Sequence, residues 1–386
     1  MENFSFYNPV KILFGKGKII ELSDNIPVNS KILITYGGGS IKKNGVYNQV
    51  IENLKGYEFY EFGGIEVNPS YETCIKALDI INEKSIDFLL AVGGGSVIDA
   101  TKFIAAAAKN VYDNPWDIVA KGAEVKESLP IGVVLTLPAT GSEMNMNSVI
   151  TNRKTREKLP FKSVKSLPLF SILDPEYSYS LPMRQVVNGI IDSFIHVLEQ
   201  YLTYQVDSPV QDRFAEGVLI SLIEEGKKAV ELETPDYNNR ANIMWASTLA
   251  LNGILAVGVK SCWATHAIGH ELTALHGLDH AVSLTIVLPG LMQQKRDVRK
   301  EKLLQFAERV WNITEGTDDE KIDKTISRVE TFFNQLGVKT RLSDYNIGND
   351  TIEFIVSRFK NRGLKSIGLQ KDISLKDVED ILKLRM

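Results

Sequence analysis

Apolar residues follow two different rhythms along the chain. In the first half, short runs of branched and aromatic side chains recur: KILITY (31–36), YEFYEFG (57–63), FLLAVG (88–93), IGVVLTLP (131–138) and FSILD (170–174). Each has the length of a strand and is bounded by turn residues, which predicts buried β-strands. Between them lie stretches such as YETCIKALDIINEKS (71–85), whose apolar positions recur at helical spacing. Strand and helix in repetition predict a parallel, doubly wound sheet, with ligands gathering beyond the carboxyl ends of its strands.

The rhythm changes around LDPEYSYSLPMRQ (173–185), and no convincing strand is expected beyond it. Residues 184–202, 212–230, 239–255 and 302–311 all carry the 3.6-residue period of amphipathic helices. The chain therefore reads as an α/β domain over residues 1–180 followed by an all-helical domain over 181–386. No internal repeat or low-complexity tract interrupts either.

Composition narrows the function classes. A net charge of −4, with Lys and Arg interspersed among acids, offers no basic stripe for nucleic acid. The longest apolar runs, such as 281–292, fall short of the ~20 residues that span a bilayer. The first residues lack the charged and apolar regions of a signal peptide, so none is expected. The two cysteines, Cys74 and Cys262, lie far apart and read as reduced thiols, Cys262 as a structural one; the expected compartment is the cytoplasm.

YGGGS (36–40) and VGGGS (92–96) each follow a predicted strand directly. Glycine permits close backbone approach, and successive N–H groups opening a helix make an anion cradle. Neither loop matches G-x-G-x-x-G, and a tight strand-to-helix turn uses glycine for structural reasons alone. Two such loops at equivalent points of one sheet favour phosphate binding. Asp99 and Lys102 follow on one helical face, where a solvated ion pair is the simplest expectation. Thr136, Thr140, Gly141 and Ser142 end the 131–138 run with small polar groups that suit a diphosphate or a nicotinamide amide, or an ordinary turn.

Histidine is scarce, five in 386 residues, yet four of the five fall between residues 266 and 280. The fifth, His196, follows Asp192 by four residues on a helix that is apolar nearly all round, so both project from one buried face. A buried carboxylate beside a buried imidazole is costly unless the two are paired or bind a metal. His266 and His270 repeat the four-residue spacing, and His280 follows a break at Gly277. One carboxylate with three imidazoles suits a divalent Fe or Zn ion. GHELTAL is not the metalloprotease H-E-x-x-H, because Ala274 stands where the second histidine is needed. His270 and His276 cannot both join the others as ligands without crowding, and His276 is set aside as a neighbour.

In order and spacing, NPVKILFGKG (8–17), FGGIEVNP (62–69), AVGGGSVIDATK (91–102), LPATGSE (137–143), NGIIDSFIH (188–196) and WATHAIGHELTALHGLDHA (263–281) cover essentially the whole chain. Taken together, they make the sequence resemble the iron-containing (group III) alcohol dehydrogenases, nearest the butanol dehydrogenase and NADPH-dependent aldehyde reductase branch. The resemblance implies a Rossmann-like parallel-sheet domain and a helical metal-binding domain, the dehydroquinate synthase-like architecture. It implies Asp192, His196, His266 and His280 as ligands of Fe2+ or Zn2+, and His270 as a catalytic non-ligand that relays a proton. Gly37, Gly38, Gly39, Ser40, Gly93, Gly94, Gly95, Ser96, Asp99, Thr136, Thr140, Ser142 and Lys158 would line the dinucleotide.

Relatives that prefer NAD carry an acid at the position of Gly39. Its absence, with Ser40, Lys42 and Lys43 nearby, favours NADPH and leaves NADH use open. The implied reaction is hydride transfer between NAD(P)H and short-to-medium primary alcohols or aldehydes, in a homodimer. The alternatives are a glycerol dehydrogenase or sugar-phosphate cyclase of the same fold, or a metal-dependent hydrolase.

Overall fold

The computed structural model describes residues 1–110 and 113–386. The five predicted strands, joined at one edge by an unpredicted strand over Lys11–Phe14, form one six-stranded parallel sheet. Its members are β1 (Lys11–Phe14), β2 (Lys31–Tyr36), β3 (Glu58–Phe62), β4 (Phe88–Gly94), β5 (Ile131–Leu137) and β8 (Phe170–Leu173), in the order β1-β8-β5-β4-β2-β3. An antiparallel hairpin, β6 (Asn147–Asn152) with β7 (Glu157–Lys162), precedes β8. The helices of this part are α1 (Ser40–Lys43), α2 (Val46–Asn53), α3 (Tyr71–Lys84), α4 (Gly95–Lys109) and α5 (Asp117–Ala120).

Period-two alternation sends side chains to both faces of the sheet, and both are covered. Leu33, Leu89, Ala91 and Val133 pack with Ala77 and Ile81 of α3 and Phe103 and Ile104 of α4. Ile32, Ile34, Phe88, Leu90 and Val134 pack on the opposite side with Val46 and Val50 of α2. This two-sided burial is why the strands read as continuous apolar runs rather than alternating ones. After β2 the chain steps outward to β3 and then returns to β4 on the other flank of β2. The order reverses between β2 and β4, and the two glycine loops leave the carboxyl ends of these two strands.

Past residue 182 the chain is mostly helical: α6 (Met183–Tyr201), α7 (Pro209–Glu231), α8 (Tyr237–Ala250), α9 (Ala264–His276), α10 (His280–Gln294), α11 (Lys300–Arg309), α12 (Asp318–Gln335), α13 (Asp350–Asn361) and α14 (Leu375–Lys383). From Ile190 onward α6 is buried on every side, and its Phe194 meets Phe332 and Phe333 of α12 at ring-centroid distances of 5.2 and 5.9 Å. A second core joins Ile268 and Leu272 of α9 to Ile286 and Leu291 of α10, Ile355 of α13 and Ile381 of α14.

Three expectations need correction. The second half does contain strands, the two-residue pair β9 (Ser366–Ile367) and β10 (Ile373–Ser374), too short to show a period. The segment expected as one helix over 239–255 stops at Ala250, where Asn252 and Gly253 follow, and it belongs with the sheet. The chain divides into Tyr7–Val186 plus Thr234–Asn252 on one hand, and Met1–Phe6, Val187–Glu233 and Gly253–Met386 on the other. What ties α8 to the sheet unit is specific: Met244 enters the core beside Leu135, Trp245 stacks edge-on against Phe14 at 5.9 Å, and Thr248 donates to Glu143 at 2.5 Å. Among the described residues no helix is long and apolar enough to cross a membrane.

Candidate metal centre and nucleotide loops

Within the helical unit, α6 presents Asp192 and His196 one turn apart, both buried. Helix α9 begins at Ala264, which puts His266 in its first turn and His270 one turn later. Gly277, at φ +67°, ends α9 in a left-handed turn that a side chain would resist, and His280 opens α10. The Asn188 amide donates to Asp279 Oδ2 at 2.8 Å, tying the start of α10 to α6.

Asp192 Oδ1 lies 3.6 Å from His196 Nε2, 3.8 Å from His266 Nε2 and 3.7 Å from His280 Nε2. These separations exceed the about 3.2 Å of an ordinary N–H···O hydrogen bond. They do match donors that share an ion, since tetrahedral ligands at about 2.1 Å from a metal stand about 3.4 Å apart. His266 Nε2 is a buried nitrogen with no hydrogen-bond partner among the described residues. The ligand atoms of Asp192, His196 and His266 all lie within 4.8 Å of one another. His280 is the more open member, with 23% of its side chain exposed against 6–9% for the other three, so solvent reaches the cluster on its side. The chemistry of the four donors, and the mutual spacing of Asp192, His196 and His266, fit one divalent ion of borderline hardness.

The two buried rings are shifted in opposite directions. Burial holds the His196 imidazole down to about 4, so its nitrogens are neutral near pH 7. For His266 burial also acts downward, but the Asp192 and Glu199 carboxylates outweigh it and the net direction is up. The rings are held face to face: His196 and His266 stack at 4.7 Å with an 11° interplanar angle, and Trp263 meets His266 edge-on at 5.2 Å.

His270 stands 6.2 Å from the His266 ring and 5.0 Å from that of His280, beside the cluster. His276 is exposed and pairs with Thr351 at 3.0 Å, at the far end of α9. Glu271, the acid of GHELTAL, is held by Arg358 at 2.6 Å and Arg362 at 2.5 Å, so its carboxylate serves packing. Cys262 is buried and forms no disulfide, with Arg299 Nη2 at 3.1 Å from its sulfur, and burial raises the thiol to about 11. Glu199 lies outside the residues singled out from the sequence. It follows Asp192 by seven residues and His196 by three, and that spacing, which puts all three on one face of α6, is the signal that reveals it.

In the sheet unit the two glycine loops differ in kind. A Cβ at Gly93 would come within 2.6 Å of Val97, and one at Gly95 would strike Thr140, so these glycines are required by packing. Gly38 and Gly39 meet nothing within 4 Å, and Gly39 adopts φ +89°. The backbone at Gly38 and Gly39 is therefore open to approach, whereas the loop at 93–96 draws α4 close to the sheet and aims its N-terminus past β4.

Asp99 and Lys102 are not a solvated pair. Both are buried, and Ser142 joins them, donating to Asp99 Oδ1 at 2.6 Å and accepting from Lys102 Nζ at 2.9 Å. Lys102 also donates to the carbonyls of Asn145 and Asn147, each at 2.8 Å, and Asp99 accepts from the Val149 N–H at 2.9 Å. Burial depresses Lys102 to about 8. This polar knot pins α4 to the start of β6. Thr140 Oγ1 accepts from the Ser142 N–H at 3.2 Å, Thr136 lies near the end of β5, and Lys158 on β7 donates to Asn68 at 2.8 Å. Lys42, expected to face a 2′-phosphate, is already engaged: its ammonium bonds Glu61 at 2.6 Å, and Tyr36 and Tyr47 donate to the same carboxylate. Lys43 is exposed.

Comparison with known proteins places these features in a family. Residues 9–175 match the family described as iron-containing alcohol dehydrogenase, and residues 186–386 match the C-terminal part of the Fe-containing alcohol dehydrogenase family. The chain is similar to the NADPH-dependent aldehyde reductase YqhD of Escherichia coli (strain K12), 54% identical over 97% of each chain. It is 41% identical to a probable NADH-dependent butanol dehydrogenase of Bacillus subtilis (strain 168) over 99% of each. The crystal structure of E. coli K-12 YqhD superimposes with a TM-score of 0.97 at 52% identity, covering 100% of this chain and 99% of that one.

Proposed function

The chain belongs to the iron-containing alcohol dehydrogenase family, and from that premise we propose that it is a metal-dependent, NADPH-preferring reductase of short-to-medium aldehydes. Asp192, His196, His266 and His280 would hold a divalent Fe or Zn ion. The observation that carries this reading is the convergence of three imidazole Nε2 atoms on one carboxylate oxygen, at 3.6–3.8 Å. When bound, the ion supplies Lewis-acid polarisation of the substrate oxygen, and the reduced nicotinamide supplies the hydride.

The protein's own residues divide the remaining tasks. Asp192 would bring negative charge to a donor set otherwise made of imidazoles, which suits a dication and leaves coordination positions for substrate. His270, in the ring cluster but outside the ligand set, holds a proton for the alkoxide oxygen formed on reduction. The open backbone at Gly38 and Gly39, Ser40, and the N-terminus of α4 supply N–H groups to the dinucleotide phosphates. Gly39 places no carboxylate beside the ribose, which suits a 2′-phosphate. Soluble turnover of small aldehydes, by a cytoplasmic homodimer, completes the reading.

The test follows absorbance at 340 nm with butanal, after loading the stripped protein with Fe2+ or Zn2+. NADPH is expected to support faster oxidation than NADH, and His266→Ala to retain neither metal nor turnover. Full turnover by metal-stripped His266→Ala would overturn the reading.

A further inference from the structure

We infer that Glu199 is a positioning residue for the metal centre, acting through the His266 imidazole. The inference rests on the metal reading above and adds to it a carboxylate outside the proposed ligand set. Glu199 Oε1 lies 3.3 Å from His266 Nδ1 and accepts from the His266 backbone N–H at 3.0 Å. Its Oε2 accepts from the Trp263 N–H at 2.8 Å, and its backbone carbonyl accepts from the Cys262 N–H at 2.8 Å. One side chain of α6 therefore grips the first turn of α9 at three points.

The chemical consequence follows from the tautomer. A carboxylate facing Nδ1 keeps the proton on that nitrogen and leaves the Nε2 lone pair directed at Asp192 Oδ1, 3.8 Å away. Stacking on His196 and the edge of Trp263 then leave the ring little freedom to rotate. An acid behind a ligating imidazole both orients the ring and raises its basicity.

Glu199 is suited to act as an anion. Its oxygens face three nitrogens of the α9 turn, and Arg299 meets the neighbouring Cys262. Arg299 is itself buried, donating to the Leu202 carbonyl at 3.0 Å and to the Cys262 sulfur at 3.1 Å. A helix cap alone would not need the contact to the ring.

Two variants separate positioning from capping, each read by metal affinity, the Co2+ visible spectrum and thermal unfolding of the metal-free protein. Glu199→Gln keeps volume and one acceptor but removes the charge. It is expected to keep the fold, weaken Co2+ binding about 10–100-fold in chelator competition, and alter the Co2+ d–d bands. Glu199→Asp keeps the charge but withdraws it from Nδ1; a loss of at least about tenfold is expected with the metal-free unfolding midpoint retained. Affinity within about twofold of wild type with an unchanged spectrum would overturn the inference. So would loss of the fold in both variants, which would make Glu199 a cap. Failure of the wild type to bind Co2+ would instead overturn the metal reading itself.

Discussion

Gly39 shows how much one missing side chain decides. At φ +89°, with nothing within 4 Å of the point where a Cβ would stand, it sits in a conformation that Asp and Asn tolerate better than most residues. Gly39→Asp is therefore expected to fold, while placing a carboxylate where a 2′-phosphate would come. The ratio of kcat/KM for NADPH over NADH should fall about 100-fold, equivalent to about 3 kcal/mol of lost charge-assisted bonding and added repulsion. Steady-state kinetics with both cofactors checks this; an unchanged ratio would show that the 37–40 loop does not meet the ribose. Lys42 is legible in the sequence only as a nearby cation. Its commitment to Glu61 depends on Glu61 and Tyr47 arriving from β3 and α2, which no local pattern encodes. Glu199 is the opposite case, written in the spacing of α6 yet easily passed over, because an acid three residues after a histidine is common on any helix.

At the scale of elements, the strands that read clearly are those buried on both faces. β2, β4 and β5 are runs of Ile, Leu and Val whose burial leaves little else for them to be. The hairpin of β6 and β7 escapes such a reading because NSVITN and EKLPFK mix Asn, Ser, Thr, Lys and Pro with few apolar residues and show no period-two alternation of polarity. What fixes β6 is the buried knot of Asp99, Lys102 and Ser142, a tertiary contact. Lys102→Met should remove donors from two carbonyls and a hydroxyl, and lower the unfolding free energy by about 3 kcal/mol. The pH dependence has a defined sign. Lys102 titrates at about 8 when folded, against 10.5 for an ordinary lysine, so between these values the unfolded chain binds more protons. Wild type should gain stability relative to Lys102→Met as pH rises from about 8 towards 10.5, measured by urea unfolding. A gap that moves the other way over that range would contradict the buried assignment. Helix α8 teaches the same lesson: its amphipathic period is plain, but which core it joins depends on Trp245 meeting Phe14.

For the whole molecule, the chemistry is divided between two units of different build. A parallel sheet leaves two glycine loops at the reversal of strand order, and a helical unit collects an acid and three imidazoles from α6, α9 and the start of α10. The division is visible in the change from strand-length runs to 3.6-residue periods, and the donor set in the clustering of scarce histidines. The distances that make those donors one site are not, because they depend on how α6 and α9 pack. The most direct measurement is anomalous scattering from crystals of the Zn2+-loaded protein, collected on both sides of the zinc edge. The account predicts a single strong peak about 2.1 Å from Asp192 Oδ1 and from the Nε2 atoms of His196, His266 and His280. A peak elsewhere, with these four side chains free of metal, would contradict it.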